Sequence, residues 1–105
     1  MVSQEQMILL IREYVFDNML PEYTFYNVKN KYFQEQSYLL WAAEELVNYI
    51  SERKAEPPTK VLEDFVKQMD RFSTINPKTK YAFKIVYELS YNILDVCRSA
   101  GWIEN

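Results

Sequence analysis

The chain has 105 residues, of which 49% are hydrophobic, 16% aromatic and 26% charged, a profile typical of a single domain spanning residues 1–105. It contains one glycine, one cysteine and no histidine. The commonest general base and zinc ligand is therefore missing, and one glycine excludes the Gly-rich phosphate loops of nucleotide-binding enzymes. We expect a non-enzymatic protein that has no metal site and no cofactor.

The scarcity of glycine also bears on the fold class. Tight β-turns depend on glycine for positive φ angles, so a chain with only Gly101 favours helices over hairpins. We predict an all-α fold, a small bundle of four principal helices, with an uncertain short aromatic segment at residues 21–36 between helices one and two.

The first helix is predicted from Ser3 to Met19. Ser3 followed by Gln6 is a capping-box pattern, in which each side chain satisfies a free backbone N–H of the first turn. Pro21 disfavours a helical Leu20 and predicts that the helix ends there. The apolar spacing of three and four residues predicts a core face that consists of Met7, Leu10, Ile11, Tyr14, Val15 and Asn18, widened by Ile8 and Phe16.

Residues 21–36 are rich in aromatic side chains and fit two structures. Phe25, Val28 and Tyr32 stand three and four residues apart, as on one face of a helix. The same residues also fit a β-like ribbon that turns near Lys29 and Asn30. We favour a short helix joined to the next one.

The second and third helices are predicted at Gln34–Arg53 and Pro58–Phe72, separated by a linker that contains Pro57 and Pro58. Each carries one apolar stripe. In the second helix the stripe consists of Leu39, Ala42 or Ala43, Leu46, Val47 and Ile50. In the third helix it consists of Val61, Leu62, Phe65, Val66 and Met69.

The fourth helix is predicted from Pro77 to Ala100, with Asn76 as its N-cap and Gly101 as its left-handed C-cap. It carries two apolar faces, which indicates a helix that is central in the bundle or shared with a partner. One face consists of Ala82, Ile85, Val86, Leu89, Ile93, Val96 and Cys97. The other consists of Phe83, Tyr87, Tyr91 and Leu94.

Charge is unevenly distributed, although the net charge is only −3. The stretch from residue 67 to 84 is strongly basic and contains the turn before the fourth helix, where Lys78, Lys80 and Lys84 are candidate phosphate contacts. A small nucleic-acid- or nucleotide-binding regulator is therefore one alternative function. The acidic residues of the first quarter give another, an acidic inhibitor of a cationic partner protein. Those residues are Glu5, Glu13, Asp17 and Glu22.

The aromatic surplus favours a third function, which we prefer. Tyrosine and tryptophan concentrate at protein interfaces, because they offer a large rigid surface with a polar tip. We expect a helical protein–protein interaction module that binds a partner protein or forms a homodimer. The predicted interaction surface consists of Tyr23, Phe25, Tyr26, Tyr32, Phe83, Tyr87, Tyr91 and Trp102.

The compartment is expected to be the reducing cytoplasm, because the lone Cys97 has no partner for an intramolecular disulfide. The apolar run Met7–Ile11 is too short for a signal sequence or a membrane span, so no membrane association is expected. The Lys-, Asn-, Tyr- and Ile-rich usage is similar in style to that of accessory proteins of low-GC bacteria or their mobile elements. No motif carries that similarity.

Overall fold

A computed structural model describes the backbone of residues 2–21, 31–75 and 80–103, and the side chains of residues 2–21, 37–71 and 84–103. Within these ranges the chain forms four helices and no strand, which confirms the predicted all-α bundle. The helices are α1 (Gln4–Tyr14), which continues into a π-helical turn (Val15–Met19), α2 (Lys31–Ser51), α3 (Pro58–Ile75) and α4 (Lys80–Ser99).

The start of α1 is fixed by the predicted capping box. The Ser3 hydroxyl accepts a hydrogen bond from the Gln6 N–H at 3.1 Å, and the Gln6 side chain accepts one from the Ser3 N–H at 2.8 Å. At the other end the prediction was wrong, because helical structure includes Leu20 and Pro21. Leu20 keeps right-handed helical angles, and its N–H bonds the carbonyl of Val15 five residues earlier.

The π turn explains which side chains of the first helix are buried. Met7, Ile11, Val15 and Met19 are buried at intervals of four residues. In an α-helix each four-residue step overshoots a full turn by about 40°, and the wider π turn offsets this drift. The predicted core positions Asn18 and Phe16 were wrong, because both side chains are exposed.

Helices α2 and α3 bury the stripes that their sequences predict. In α2 the fully buried residues are Leu39, Ala42, Leu46 and Ile50, and all five predicted core residues of α3 are buried. The helix bounds differ from the prediction. Residues 31–36 are helical and belong to α2, which removes the ribbon alternative for them, whereas residues 22–30 lie outside the described part. Helix α3 continues through Ser73 and Thr74 to Ile75, beyond its predicted end at Phe72.

Helix α4 lies centrally and makes its most extensive contacts with α3 and then with α2. Its core face is buried as predicted at Ile85, Val86, Leu89, Ile93 and Cys97. Leu94, which was predicted on the second face, is buried as well, so the bundle itself covers part of that face. The predicted N-cap Asn76 and Pro77 lie outside the described residues.

The C-terminus of α4 confirms the predicted glycine cap. Gly101 has a φ of +78°, a conformation that glycine adopts without strain. Its N–H bonds the carbonyl of Arg98 at 3.1 Å, and the N–H of Trp102 bonds the carbonyl of Cys97 at 2.9 Å. These two bonds form a Schellman motif, which ends the helix and places Trp102 just beyond it.

Candidate functional site: a groove between the first two helices

A groove with a volume of about 410 Å³ lies between the first helix and α2. We call it the α1–α2 groove. Its lining from the first helix consists of Arg12, Val15 and Phe16, and its lining from α2 consists of Leu40, Ala43, Glu44, Val47 and Asn48.

The two helices that form the groove run antiparallel. The Gln4 side chain at the start of α1 donates a 2.7 Å hydrogen bond to the carbonyl of Ile50 near the end of α2. Further along, the π turn reaches the middle of α2, where Leu40 and Ala43 line the groove opposite Phe16.

Two neighbouring side chains at the start of the π turn both line the groove. Val15 is 1% exposed and belongs to the core, whereas Phe16 is 56% exposed. On α2, Leu40 is 45% exposed and Ala43 and Val47 are half-buried. The groove thus has an apolar floor continuous with the core, and two large apolar side chains at its edge.

A further exposed apolar side chain, Leu9, lies on the same face of α1. Leu9 stands three residues before Arg12 and seven before Phe16, a spacing that places all three on one helix face. The exposed Arg12 lies between the two apolar side chains.

The polar groups of the groove lie at its rim. Arg12, Glu44 and Asn48 are exposed, so they do not converge on a point inside the groove. Among the described side chains, no three His, Cys, Asp or Glu residues are close enough together to hold a metal ion. The lining chemistry therefore suits apolar side chains better than a polar ligand.

The sequence-predicted interaction surface is only partly brought together. Tyr23, Phe25 and Tyr26 lie outside the described residues, and Tyr32 and Phe83 lie in α2 and α4 with side chains outside them. Tyr87 is half-buried and packs on the core, with its ring centroid 5.9 Å from that of Tyr91.

Two members of that predicted surface are exposed, Tyr91 at 41% and Trp102 at 38%. Among the candidate phosphate contacts, Lys84 is exposed on α4. Lys78 lies outside the described residues, and Lys80 begins α4 with its side chain outside them. The arrangement of the three candidate phosphate contacts relative to one another is therefore not described.

Sequence reasoning missed Phe16 and Leu40 as site residues. Phe16 was predicted to widen the core face, although the helical period alone places it about 100° from its buried neighbour Val15. Leu40 follows the buried Leu39, and the outward position of such a neighbour is predictable from the helical period. The pairing of the two residues is not predictable, because it depends on how α1 packs against α2.

No protein-family model matches this sequence, and the searches of curated proteins and of solved structures find no match either. No helix in the described part of the chain combines the length and apolarity required to cross a bilayer.

Proposed function

We propose that the protein is a helical protein–protein interaction module, without a catalytic role, that binds apolar side chains of a partner protein in the α1–α2 groove. The observation that carries the proposal is the pairing of exposed Phe16 and exposed Leu40 at the edge of a groove whose floor is continuous with the core. A partner that covers these two side chains would gain the free energy of removing their apolar surface from water.

The form of the groove supports a protein as the ligand. Large apolar side chains at the centre of an interface carry most of the binding free energy, and a polar rim excludes water around them. Phe16 and Leu40 fit the first role, and Arg12, Glu44 and Asn48 fit the second. A small polar metabolite would need buried groups that fix its orientation, and the described lining has its polar side chains at the exposed rim.

The proposed site differs from the surface predicted from the sequence, which combined the aromatic segment at residues 21–36 with α4 and Trp102. Leu94 is buried and Tyr87 packs on the core, so the second face of α4 offers less free apolar surface than its sequence suggests. Tyr91 remains exposed there and provides a matched comparison with Leu40, since the two side chains are exposed to similar extents.

A pair of variants tests the proposal. Partners would be captured from the native host on the immobilised chain, identified by mass spectrometry and purified, and their affinities measured by calorimetry. Leu40→Asp introduces a charge into the groove, so we expect at least about tenfold weaker binding, whereas Tyr91→Asp leaves binding unchanged. The proposal fails if Tyr91→Asp abolishes binding and Leu40→Asp does not.

A further inference from the structure

The net negative charge of the described side chains comes from the two helices that form the groove. Residues 2–21 carry Glu5, Glu13 and Asp17 against Arg12, and residues 37–51 carry Glu44 and Glu45 with no basic residue. In residues 52–71 and 84–103 acidic and basic side chains are equal in number. The excess of acid therefore belongs to the two helices that form the groove, whose lining itself holds one acidic residue, Glu44, and one basic residue, Arg12.

The carboxylates of these two helices make no ion pair within the described part of the chain. The ion pairs found there join Arg53 to Glu52 and Arg98 to Asp95, and both lie on other elements. Glu13, Asp17, Glu44 and Glu45 are all exposed. Like charges without partners repel one another, and a cationic partner would relieve that repulsion.

The backbone of the groove limits what kind of segment fits it. Helices α1 and α2 satisfy their backbone groups internally, so they offer no sheet edge to which an extended peptide could add. A helix satisfies its own backbone and needs only apolar contacts. The lining of α2 from Leu40 to Asn48 spans about 12 Å, a length that matches two turns of a docked helix.

These observations together point to the identity of the ligand. We infer that the α1–α2 groove binds an amphipathic helix of a partner protein, with apolar residues facing Phe16 and Leu40 and with lysine or arginine on both flanks. The inference rests on the proposed function and adds the chemistry of the partner. A second copy of this chain is disfavoured here, because two pairs of helices with net negative charge would be brought together.

The test uses three synthetic amphipathic peptides of about 18 residues, long enough to form a stable helix. All three carry leucine at the spacing i, i+4 and i+7, and their flanking positions hold lysine, glutamine or glutamate. Binding to the full chain is measured by fluorescence anisotropy. We expect the lysine peptide to bind about tenfold more tightly than the glutamine peptide, and the glutamate peptide to bind most weakly.

Two variants of the full chain locate the effect. The double substitution Glu44→Lys and Glu45→Lys should reverse the order of the lysine and glutamate peptides, and these exposed positions leave the core intact. Leu40→Asp should weaken all three peptides. A rise in salt from about 0.05 to 0.5 M should weaken the lysine peptide most, because exposed charges are screened within a Debye length.

The outcomes separate this inference from the proposed function. Equal binding of the three peptides, lost in Leu40→Asp, would overturn the inference and leave the proposed function standing. No peptide binding, together with a dimer that Leu40→Asp dissociates, would make a second copy the occupant and overturn the inference. Peptide binding that appears only after Tyr23, Phe25 and Tyr26 are replaced by serine would show that the aromatic segment at residues 21–36 of this chain occupies the groove. That result would also overturn the inference. No binding in any of these experiments would overturn both proposals.

Discussion

Phe16 and Leu40 line one groove from two antiparallel helices, and each keeps about half of its surface exposed. The immediate neighbours Val15 and Leu39 are buried in the core. In each helix a buried residue is followed directly by an exposed one, and the two exposed residues line the same groove. That coincidence defines the site and leads to the first prediction.

Truncation of Leu39 and of Leu40 should have very different effects on stability. Leu39→Ala leaves a cavity in the core and is expected to lower the free energy of unfolding by about 2–5 kcal/mol. Leu40→Ala removes a half-exposed side chain at the groove edge, so a change of about 0.5 kcal/mol is expected. Urea denaturation of both variants measures the difference. Equal losses would show that the register of α2 is not the one described.

The capping box predicts a local contribution to stability at the start of α1. Ser3→Ala removes the hydroxyl that accepts from the Gln6 N–H, and we expect a loss of about 1 kcal/mol. Ser99→Ala, at an exposed position at the other end of the chain, is the control and should change stability little. Thermal melts of the two variants provide the comparison, and an unaffected Ser3→Ala would contradict the cap.

Arg53 should stabilise the end of α2 more than its neighbour Lys54 does. Its guanidinium lies 3.4 Å from the centroid of the Tyr49 ring and donates a 3.0 Å hydrogen bond to the Tyr49 carbonyl. Tyr49 in turn packs on Phe65 of α3, with ring centroids 4.8 Å apart. Arg53→Ala is expected to cost about 1 kcal/mol and Lys54→Ala almost nothing. Similar effects of the two variants in urea denaturation would argue against the stacked arrangement.

Cys97 gives a prediction on reactivity and on pH. The side chain is buried, its Sγ lies 3.9 Å from the Sδ of Met7, and burial raises the thiol pKa from 9.0 to about 11. At pH 8 we expect Ellman's reagent to modify the thiol in urea and not in the folded protein. Rapid modification of the folded protein would place Cys97 outside the core.

The sign of the pH effect follows from the same shift. Below pH 9 both states keep the thiol proton, and between pH 9 and 11 the unfolded state loses it first. The free energy of unfolding should therefore fall over that window more steeply in the parent chain than in Cys97→Ala. The two proteins differ only at residue 97, so the comparison isolates the thiol. Parallel pH profiles would contradict the assignment.

Much of the fold was predictable because helical patterns are local. The stripes of α2 and α3, the capping box at Ser3 and the cap at Gly101 follow from residue spacing and from backbone preferences over a few positions. The π turn was not predictable, since no single residue type requires an i to i+5 hydrogen bond. The outward position of Phe16 did not depend on the π turn, because the helical period already places it about 100° around the helix from the buried Val15.

The site was less predictable than the fold. The acidic character of the first quarter was visible in the sequence, and so was the aromatic surplus. The place where the groove forms depends on the packing of α1 against α2, which brings residues about 24 to 36 positions apart into one lining. Periodicity within one helix cannot report such a pairing.

NMR mapping of the lysine peptide on the ¹⁵N-labelled full chain would locate the bound peptide residue by residue. We expect the backbone amide signals of Phe16, Leu40 and Ala43 to shift on titration, and those of Tyr91 and Trp102 to stay unchanged. Shifts confined to α4 and the C-terminal residues, with the groove residues unchanged, would contradict binding in the α1–α2 groove.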